Sequence, residues 1–595
     1  MSDKLWTPDN GDGTYTNPVI YADYSDPDVI RVGDTYYMTA SSFNYCPGLP
    51  ILISKDLVNW KLVNYATGNI TDNSVNNYDI PQHSRGIWAP AIRYNNGTFY
   101  IFYGMPDEGY YVVETKDPLG KWSEPHLLLR GKGLIDPCPI WDGDKAYVVH
   151  GYAKSRIGFK SFLGIFEMTP DCKSVIGDDK ILYDGLATNH TIEGPKTYKI
   201  GEYFYILAPA GGVKPGWQTA LRSKSIYGPF EEAYVLATGD TIVNGPHQGA
   251  LVDDANGDLW FVHFQDRGLY GRLTHVQPVR FVDGWPVMGE GENTPAGPDK
   301  VVSKYCGHPV ITHKMPASLV NLKSTNMPDP LQPSQTLDLE QLSKLSAATQ
   351  SLELESRLGL DASDDFMGDK LGLQWQWTGN GYDEYYKLGE NADSANKFDG
   401  LRLFALNPSK DDCPTIWRSA NVLTQKIITP FFEIVTELDF TGLKNNEQTG
   451  LVMMGGEYAY IAVRQENGCK KLILAEAYTD KERLTTVNSM TTAYVGEKIT
   501  EIRDIPVGLN KIQLGIYLVS DGTEPTKNPL KADASNLKFG FFYIDENGNR
   551  IEVPTAFFPS DHTWVGAKAG IFTLALDNEK HTGYADFKKF VVKNM

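Results

Sequence analysis

The sequence lacks the features that would place the protein in a membrane or on nucleic acid. It contains no uninterrupted apolar run of about 18 residues, the length that a membrane-spanning helix needs. Basic residues are in the minority, since 55 lysines and arginines face 74 aspartates and glutamates and the net charge is -19. Such a charge repels a phosphate backbone and offers no release of counter-ions on binding. We therefore expect neither nucleic acid nor an anionic membrane as a partner.

Cysteine is also scarce and carries no pattern. The chain has six cysteines without a CxxC pair or the spacing of a disulfide framework, so we expect free and mostly buried thiols. No Walker loop, HExxH, GxSxG or dinucleotide fingerprint occurs, so these nucleotide, zinc-protease and serine-hydrolase motifs give no support to such functions. The N-terminus shows no basic start followed by an apolar stretch, which predicts a cytoplasmic protein, or a secreted one whose signal was removed.

What the first half does contain is a repeat. A turn with glycine followed by a short aromatic and β-branched run occurs five times, at intervals of 46 to 64 residues, starting at Gly33, Gly97, Gly143, Gly201 and Gly257. Runs of this kind between turn residues are typical of strands. The intervals suit four-stranded blades with loop insertions, so the pattern predicts a five-bladed β-propeller. A β-sandwich would also give many short strands and stays open as an alternative.

A second regularity precedes these strands. Counting back 11 to 13 residues from the strand aromatics Tyr37, Tyr100, Tyr147, Tyr205 and Trp260 reaches Asp26, Trp88, Asp136, Glu193 and His247, each with a proline nearby. The first strand of every propeller blade lines the central channel. We therefore expect three carboxylates, a tryptophan and a histidine to converge on one axis.

Along the chain the composition of the sequence changes twice. Residues 1–316 hold the repeats, residues 317–363 are rich in proline and polar residues and predict an ordered linker with room for one short helix, and residues 364–595 return to short strands. Nine or more such strands with turn signals predict an antiparallel β-sandwich of the concanavalin-like or jelly-roll kind. The expected fold class is all-β, with a propeller followed by a sandwich.

Three acids around a channel suit the cleavage of glycosidic bonds. That reaction needs one protonated and one ionised carboxyl group, and burial with mutual repulsion should raise the pKa of one of them. Trp88 offers a flat face for a sugar ring. An aspartate before proline is more often a turn or cap residue, but three acids in register with a repeat favour a site. No cofactor is required for such chemistry.

Two metal sites are open hypotheses. His247 is either a buried histidine with hydrogen-bonding neighbours or a ligand to a cation on the channel axis. In the second half, the oxygen ligands of Asp364, Asp365 and Asp586 suit calcium. Ordinary surface acids explain these three residues equally well.

At these positions the sequence resembles glycoside hydrolase family 43, through NPVIYADYSDPDVIRVGDTYYM, RGIWAPAIRY, GLIDPCPIWDGDKAYVV, TIEGPKTYK and GPHQGALV, in this order. The resemblance implies that Asp26 is the general base, Glu193 the general acid and Asp136 the residue that orients and tunes its partner, in a reaction that inverts configuration. It also implies sugar contacts from Phe43, Trp88, His247 and Arg272, and from Trp564 of the sandwich.

The function expected from this resemblance is an exo-acting hydrolase. It would remove terminal β-D-xylosyl or α-L-arabinofuranosyl residues, or both, from xylo- or arabino-oligosaccharides. Alternatives are an endo- or exo-arabinanase, a retaining fructosyl-transferring propeller, a non-catalytic carbohydrate-binding propeller and an interaction scaffold. The sequence leaves open whether the chain forms a homo-oligomer.

Overall fold

The structure is a computed structural model that describes residues 5–320, 343–345, 347, 349, 360–389, 398–410, 415–478, 496–520 and 536–595. These residues form strands almost throughout. Helical segments within the described ranges include α1 (Lys154–Ile157), the 3-10 turns Gly268–Tyr270, Asp383–Tyr385 and Ile416–Arg418, and helical residues between 343 and 349. None of the described helices has the length and hydrophobicity to cross a membrane.

The first half is a propeller of five four-stranded antiparallel sheets, preceded by β1 (Thr14–Thr16). Blade 1 contains β2 (Asp28–Val32), β3 (Thr35–Thr39), β4 (Gly48–Ser54) and β5 (Trp60–Thr67). Blade 2 contains β6 (Trp88–Asn95), β7 (Thr98–Met105), β8 (Gly109–Thr115) and β9 (His126–Arg130). Blade 3 contains β10 (Leu134–Asp142), β11 (Lys145–Tyr152), β12 (Phe162–Met168) and β13 (Val175–Asp184). Blade 4 contains β14 (Lys196–Ile200), β15 (Tyr203–Ala210), β16 (Trp217–Ser223) and β17 (Glu231–Ala237). Blade 5 contains β18 (His247–Asp253), β19 (Leu259–Asp266), β20 (Arg272–Val282) and β21 (Trp285–Met288).

The predicted repeat runs correspond to the second strand of each blade. These strands are sandwiched within their sheet and between neighbouring blades, so aromatic and β-branched side chains on both faces become buried. Tyr37 of β3 and Phe99 of β7, for example, meet edge to face with ring centroids 5.1 Å apart across the junction of blades 1 and 2. The propeller and its blade count confirm the sequence-based expectation.

The ring is closed by the N-terminal segment. The side chain of Asn17 donates to the carbonyl of Val276 and accepts from its N–H, both over 2.9 Å, and so pins this segment to blade 5. Three short strands follow the blades, of which the last pairs with β1; they are β22 (Pro295–Ala296), β23 (Val301–Val302) and β24 (Thr312–Lys314).

The second half is a sandwich of two seven-stranded antiparallel sheets. One sheet contains, in spatial order, β25 (Gln376–Trp377), β28 (Leu423–Lys426), β37 (Lys568–Ala575), β30 (Glu447–Met454), β31 (Tyr458–Glu466), β32 (Cys469–Tyr478) and β33 (Gly496–Asp504). The other contains β26 (Tyr386–Leu388), β27 (Leu401–Phe404), β38 (Tyr584–Asn594), β29 (Phe432–Asp439), β34 (Lys511–Ser520), β35 (Leu537–Ile544) and β36 (Arg550–Val553). The all-β prediction is confirmed.

The sandwich packs directly on the propeller. Tyr21, Leu269 and Tyr270 of the propeller belong to the same apolar cluster as the sandwich core. The backbones of Cys46 and Trp377 exchange two hydrogen bonds, of 3.1 and 2.7 Å. A further hydrogen bond runs from the N–H of Ala567 to the carbonyl of Leu269 over 2.7 Å, and the adjoining loop of the sandwich, residues 562–566, lies at the end of the channel where the inner strands begin.

Two further sequence expectations concern the linker and the thiols. Residues 343–345, 347 and 349 are helical, whereas most of the predicted linker lies outside the described residues, so its boundaries stay a prediction. The five described cysteines are free, and all but Cys469 are buried. The sixth, Cys413, lies outside the described residues.

Candidate active site

The beginnings of the five inner strands meet in one pocket. It is lined by Asp26, Phe43, Trp88, Ala89, Ile135, Asp136, Glu193, His247, Gln248, Arg272 and Trp564. The structure thus brings together the five residues that the sequence spacing places on one axis. The pocket also contains Phe43, Arg272 and Trp564, the remaining residues that the family resemblance assigns to sugar contacts.

The inner strands are irregular where they carry these side chains. In three blades the pairing between the first and second strand shifts register at the site, between Trp88 and Ala91, between Ile135 and Cys138, and between His247 and Gly249. A β-bulge of this kind bends the strand and redirects a side chain. Each bulge here turns a strand residue towards the mouth of the channel.

Five residues of the pocket also have a positive φ, in the left-handed region. The φ angles are 56° at Asp26, 58° at Asp136, 54° at Phe43, 37° at Gln248 and 71° at Trp564. For residues with a Cβ atom this region costs about 1–2 kcal/mol each. The surrounding hydrogen bonds and packing hold these residues in place against that cost.

Asp26 is surrounded by hydrogen-bond donors. Its Oδ2 accepts from the hydroxyls of Ser25 over 2.7 Å and Ser41 over 2.6 Å, and its Oδ1 accepts from Nη1 of Arg272 over 3.0 Å. The Ser41 hydroxyl in turn accepts from the N–H of Ala89 over 2.7 Å, which ties blade 1 to blade 2. These contacts fix the position of the Asp26 carboxylate at the pocket.

Asp136 is the acid that burial affects most. Its Oδ2 accepts hydrogen bonds from the N–H of Gly194 over 2.8 Å and from Nε2 of Gln248 over 3.2 Å. Burial raises its pKa well above the usual value, and the negative charges of Glu193 and Asp26 raise it further. The Gly194 hydrogen bond and the positive charge of Lys196 act in the opposite direction and are weaker. The sequence predicts that one of the three acids has a raised pKa, and in the structure that acid is Asp136.

Glu193 is the most accessible of the three acids. A quarter of its side chain is exposed, whereas the side chain of Asp26 is 6% exposed. Its Oε1 lies 3.1 Å from Nε2 of His247, a buried histidine whose ring also packs on Phe264. Glu193 can therefore reach a group in the pocket while one of its oxygens is held against the channel wall.

The sandwich supplies one wall of the pocket through Trp564. The loop around it is closed by reciprocal backbone hydrogen bonds between His562 and Val565, of 2.8 and 3.1 Å. Gly566 is required there, because a Cβ atom at this position would lie 2.5 Å from the backbone nitrogen of Gly271. The guanidinium of Arg272 lies 5.2 Å from the Trp564 ring centroid and so joins this wall to Asp26.

The opposite wall is aromatic as well. Phe43 and Trp88 meet edge to face with ring centroids 6.5 Å apart, and both pack with Tyr45 and Val565. The indole N–H of Trp88 donates to the carbonyl of Ser84 over 3.0 Å, which fixes the orientation of the ring. The pocket therefore combines flat apolar faces with three acids and an arginine, a composition suited to a sugar ring.

Comparison with known proteins identifies this arrangement. Residues 15–286 match the profile of glycosyl hydrolases family 43, and residues 363–593 match that of the "Beta xylosidase C-terminal Concanavalin A-like domain". A β-xylosidase of Formosa agariphila is 31% identical over 80% of this chain and 78% of its own length. The chain belongs to glycosyl hydrolase family 43.

Other family 43 proteins share its two-domain layout. A non-reducing end α-L-arabinofuranosidase of Bacteroides ovatus is 27% identical over 82% of this chain and 83% of its own. The crystal structure of a family 43 protein from Bacillus licheniformis superposes with a TM-score of 0.69 at 24% identity, covering 98% of this chain and 100% of that one. This family 43 member is therefore a glycosidase with the propeller and sandwich of its relatives.

The structure of this family 43 enzyme confirms neither metal hypothesis. Among the described residues, no group of three or more histidine, cysteine, aspartate or glutamate side chains is placed to hold a metal ion. Asp364 instead accepts from the indole N–H of Trp375 over 2.8 Å, and Asp586 forms a two-bond ion pair with Arg402, of 2.7 and 2.8 Å. Asp365 accepts from the backbone of Met367. His247 faces Glu193 and not a cluster of ligands.

Some residues of the site were not predicted from the sequence. Ser25, Ser41 and Gln248 hold two of the three acids through hydrogen bonds. Ser25 and Gln248 adjoin Asp26 and His247 in sequence, so adjacency was the available signal. Ser41 lies on the connection after β3 and carries no comparable signal.

Proposed function

We propose that this chain is an exo-acting, inverting glycosidase that removes terminal β-D-xylosyl residues, α-L-arabinofuranosyl residues, or both, from hemicellulose oligosaccharides. The observation that carries the proposal is the pocket itself, where three acids meet two aromatic walls, one of which comes from the sandwich. The names of the relatives, a β-xylosidase and an α-L-arabinofuranosidase, supply the two candidate sugars.

The proposed chemistry is a single displacement. Asp26, ionised and held by Ser25, Ser41 and Arg272, takes a proton from a water molecule that attacks the anomeric carbon. Glu193 donates its proton to the departing glycosidic oxygen. One bond to the anomeric carbon forms as the other breaks, so the configuration at that carbon is inverted.

Asp136 is proposed to prepare Glu193 for this role. The hydrogen bond from Gly194 to Asp136 fixes the backbone next to Glu193. Asp136 and Glu193 disfavour each other's ionisation, because two neighbouring carboxylates repel each other, so the pair retains a proton that can be donated. In this scheme Asp136 never contacts the reacting bond.

The closed wall supports exo action over the endo alternative. Trp564 and Arg272 lie on the same pocket as Phe43 and Trp88, so the sandwich blocks one end of what would otherwise be a groove. A polymer cannot pass through a blocked groove, whereas a terminal sugar can enter the pocket. The endo-arabinanase alternative needs the open groove and is therefore disfavoured.

The two sugars present similar atoms to such a pocket, and single contacts separate them by about 1–3 kcal/mol. Activity on both is therefore part of the proposal. The test is to incubate the enzyme with nitrophenyl β-D-xyloside and nitrophenyl α-L-arabinofuranoside and to follow the first-formed anomer by proton NMR. Release of an inverted sugar from either substrate supports the proposal, a retained anomer supports the fructosyl-transferring type of mechanism, and binding without release supports a lectin-like module.

A further inference from the structure

One buried carboxylate joins both domains behind the pocket. Asp23 is 5% exposed. Its Oδ1 accepts a hydrogen bond from the backbone N–H of Arg272 over 2.9 Å, and its Oδ2 accepts one from the backbone N–H of Gly566 over 2.9 Å. Arg272 belongs to blade 5 and Gly566 to the sandwich, so the two oxygens of one side chain hold two domains together.

Both of these backbone groups belong to segments that shape the pocket. Arg272 donates from its side chain to Asp26, and Gly566 follows Trp564 by two residues. Asp23 is closely packed against the segment that carries Arg272, since a Cβ atom on Gly271 would lie 2.4 Å from Cγ of Asp23. A movement of Asp23 is therefore transmitted to both segments.

The negative charge of Asp23 acts on two buried lysines of the sandwich. Lys426 and Lys568 are directly opposite each other in the pair of β28 and β37. Burial lowers the pKa of both ammonium groups, and the negative charge of Asp23 raises them. The ammonium of Lys568 lies 4.4 Å from the ring centroid of Tyr45, and that of Lys426 lies 5.0 Å from the ring centroid of Tyr24.

The other titratable groups around Asp23 are few. The charge of Asp23 also acts on the phenols of Tyr24 and Tyr45, whose pKa values burial raises well above the usual one, and on Asp561 of the sandwich, whose pKa burial also raises. In the range where a glycosidase works, both phenols stay neutral. The basic side chains whose pKa values the charge of Asp23 raises at this interface are therefore Lys426 and Lys568, against the larger and opposite effect of their burial.

We propose that Asp23 is a positioning residue that sets the distance between Arg272 on the propeller and the Trp564 wall on the sandwich, and thereby the width of the sugar pocket. This inference rests on the proposed function, because it assigns Arg272 and Trp564 to the binding of the terminal sugar. Asp23 itself lines neither the pocket nor the path to it.

The central test is Asp23→Asn. Asparagine keeps the size of the side chain but offers one acceptor oxygen, so one of the two N–H groups then faces an amide NH2 group. We expect kcat/KM on the nitrophenyl glycosides to fall about 10-fold to 10²-fold, because a small misplacement of positioning groups has effects of this size. Most of the loss should appear in KM.

A matched control separates positioning from stability. Asp254 is 2% exposed and its Oδ2 likewise accepts a backbone N–H, that of Ala317, over 2.9 Å, but it does not line the pocket. Asp254→Asn should lower the melting temperature without changing KM. A second control, Asp23→Asn with Lys568→Met, removes a buried amine that has lost the carboxylate of Asp23, and should recover melting temperature but not KM.

A double-mutant cycle tests the proposed route to Trp564. If Asp23 acts through the wall, Asp23→Asn should raise KM much less in a Trp564→Ala background than in the wild type, since the two changes then remove the same feature. Additive effects on KM would overturn the inference. So would recovery of KM together with melting temperature in the Lys568→Met background, because Asp23 would then only balance charge. Lack of hydrolysis by the wild type would instead count against the proposed function.

Discussion

The Oδ2 atom of Asp136 accepts a hydrogen bond from the backbone N–H of Gly194 over 2.8 Å, so an acid of blade 3 holds the chain immediately after the acid of blade 4. After burial, the charge of Glu193 is the largest cause of the raised pKa of Asp136. Two acids that interact in this way titrate as a pair, and the pH profile of the enzyme reports that pair.

Asp136→Asn should alter this pH profile. The asparagine oxygen can still accept from Gly194, so the geometry is kept while one carboxyl group of the coupled pair is removed. In the wild type the loss of both protons from the pair is opposed by the repulsion of two carboxylates, and this repulsion is absent in the variant, so the basic limb of kcat/KM should move to lower pH. We expect turnover at neutral pH to fall on the order of 10-fold or more. An unchanged basic limb would show that Asp136 does not tune Glu193.

The same variant should be more stable than the wild type at neutral pH. The folded-state pKa of Asp136 lies well above its usual value of 3.8, so the folded protein holds a proton that the unfolded chain releases. Stability therefore falls as the pH rises from about 4 towards the raised pKa. Asparagine cannot ionise and removes this loss. Melting curves between pH 4 and pH 8 should show a smaller decline for Asp136→Asn than for the wild type, and parallel curves would contradict the assignment.

Glu193→Ala and Asp26→Ala should lose activity in different ways. Each should lower turnover on the order of 10²-fold or more, the size expected for a missing acid or base. Loss of the acid matters least when the leaving group is good, so Glu193→Ala should be less impaired on nitrophenyl glycosides than on xylobiose. Asp26→Ala should be impaired equally on both. Steady-state kinetics on the two substrate types measure the difference, and equal loss in Glu193→Ala would argue against its role as the acid.

Residue spacing was enough to locate the core of the site because each inner strand pairs in a fixed register with the strand that follows it. Asp26 and Asp136 could be counted back from Tyr37 and Tyr147 for that reason. The spacing does not reveal the bulges, so Gln248, whose φ is 37° within the bulge of β18, could not be placed as a partner of Asp136.

Contacts between the two domains could not be predicted from the spacing of residues in the sequence. Trp564 and Arg272 are nearly 300 residues apart, and their proximity depends on how the sandwich packs on the propeller; family resemblance, not periodicity, pointed to Trp564. The calcium hypothesis at Asp364 and Asp586 is not confirmed, and the positions of these residues near the ends of the domain do not reveal that Trp375 and Arg402 bind their carboxylates.

The interface next to Trp564 should be sensitive to acid. Burial lowers the pKa of His562 to about 4 from 6.5 and that of His83 to about 3, and His83 stacks on Trp417 with ring centroids 3.5 Å apart. Both are neutral when folded, whereas the unfolded chain binds protons below about pH 6.5, so stability is lost as the pH falls. At pH 5 the loss should be on the order of 1–2 kcal/mol per histidine. Urea unfolding at pH 7 and pH 5 measures it.

The control for this prediction is His562→Asn, whose amide can still form a hydrogen bond with the hydroxyl of Ser84, the partner of His562 at 2.6 Å. The variant should lose less stability between pH 7 and pH 5 than the wild type does. An equal loss in both proteins would assign the acid sensitivity to other buried histidines, such as His263 in blade 5, whose pKa burial lowers to about 4.

Trp564→Ala should widen the pocket without weakening the fold. The tryptophan is 40% exposed, so its removal should change the free energy of unfolding within the range of surface substitutions, about 0.5 kcal/mol. The terminal sugar, however, loses one wall, and Arg272 loses one of its aromatic partners, at 5.2 Å, while it keeps Phe264 at 4.6 Å. We expect KM for the nitrophenyl xyloside to rise on the order of 10-fold, since aromatic and cation–π contacts contribute about 1–2 kcal/mol. Because kcat depends on Asp26 and Glu193, it should change much less.

Trp564→Phe keeps an aromatic face and should stay close to the wild type. An unchanged KM in the alanine variant would show that the sandwich does not hold the sugar, and the argument for exo action would then fail with it.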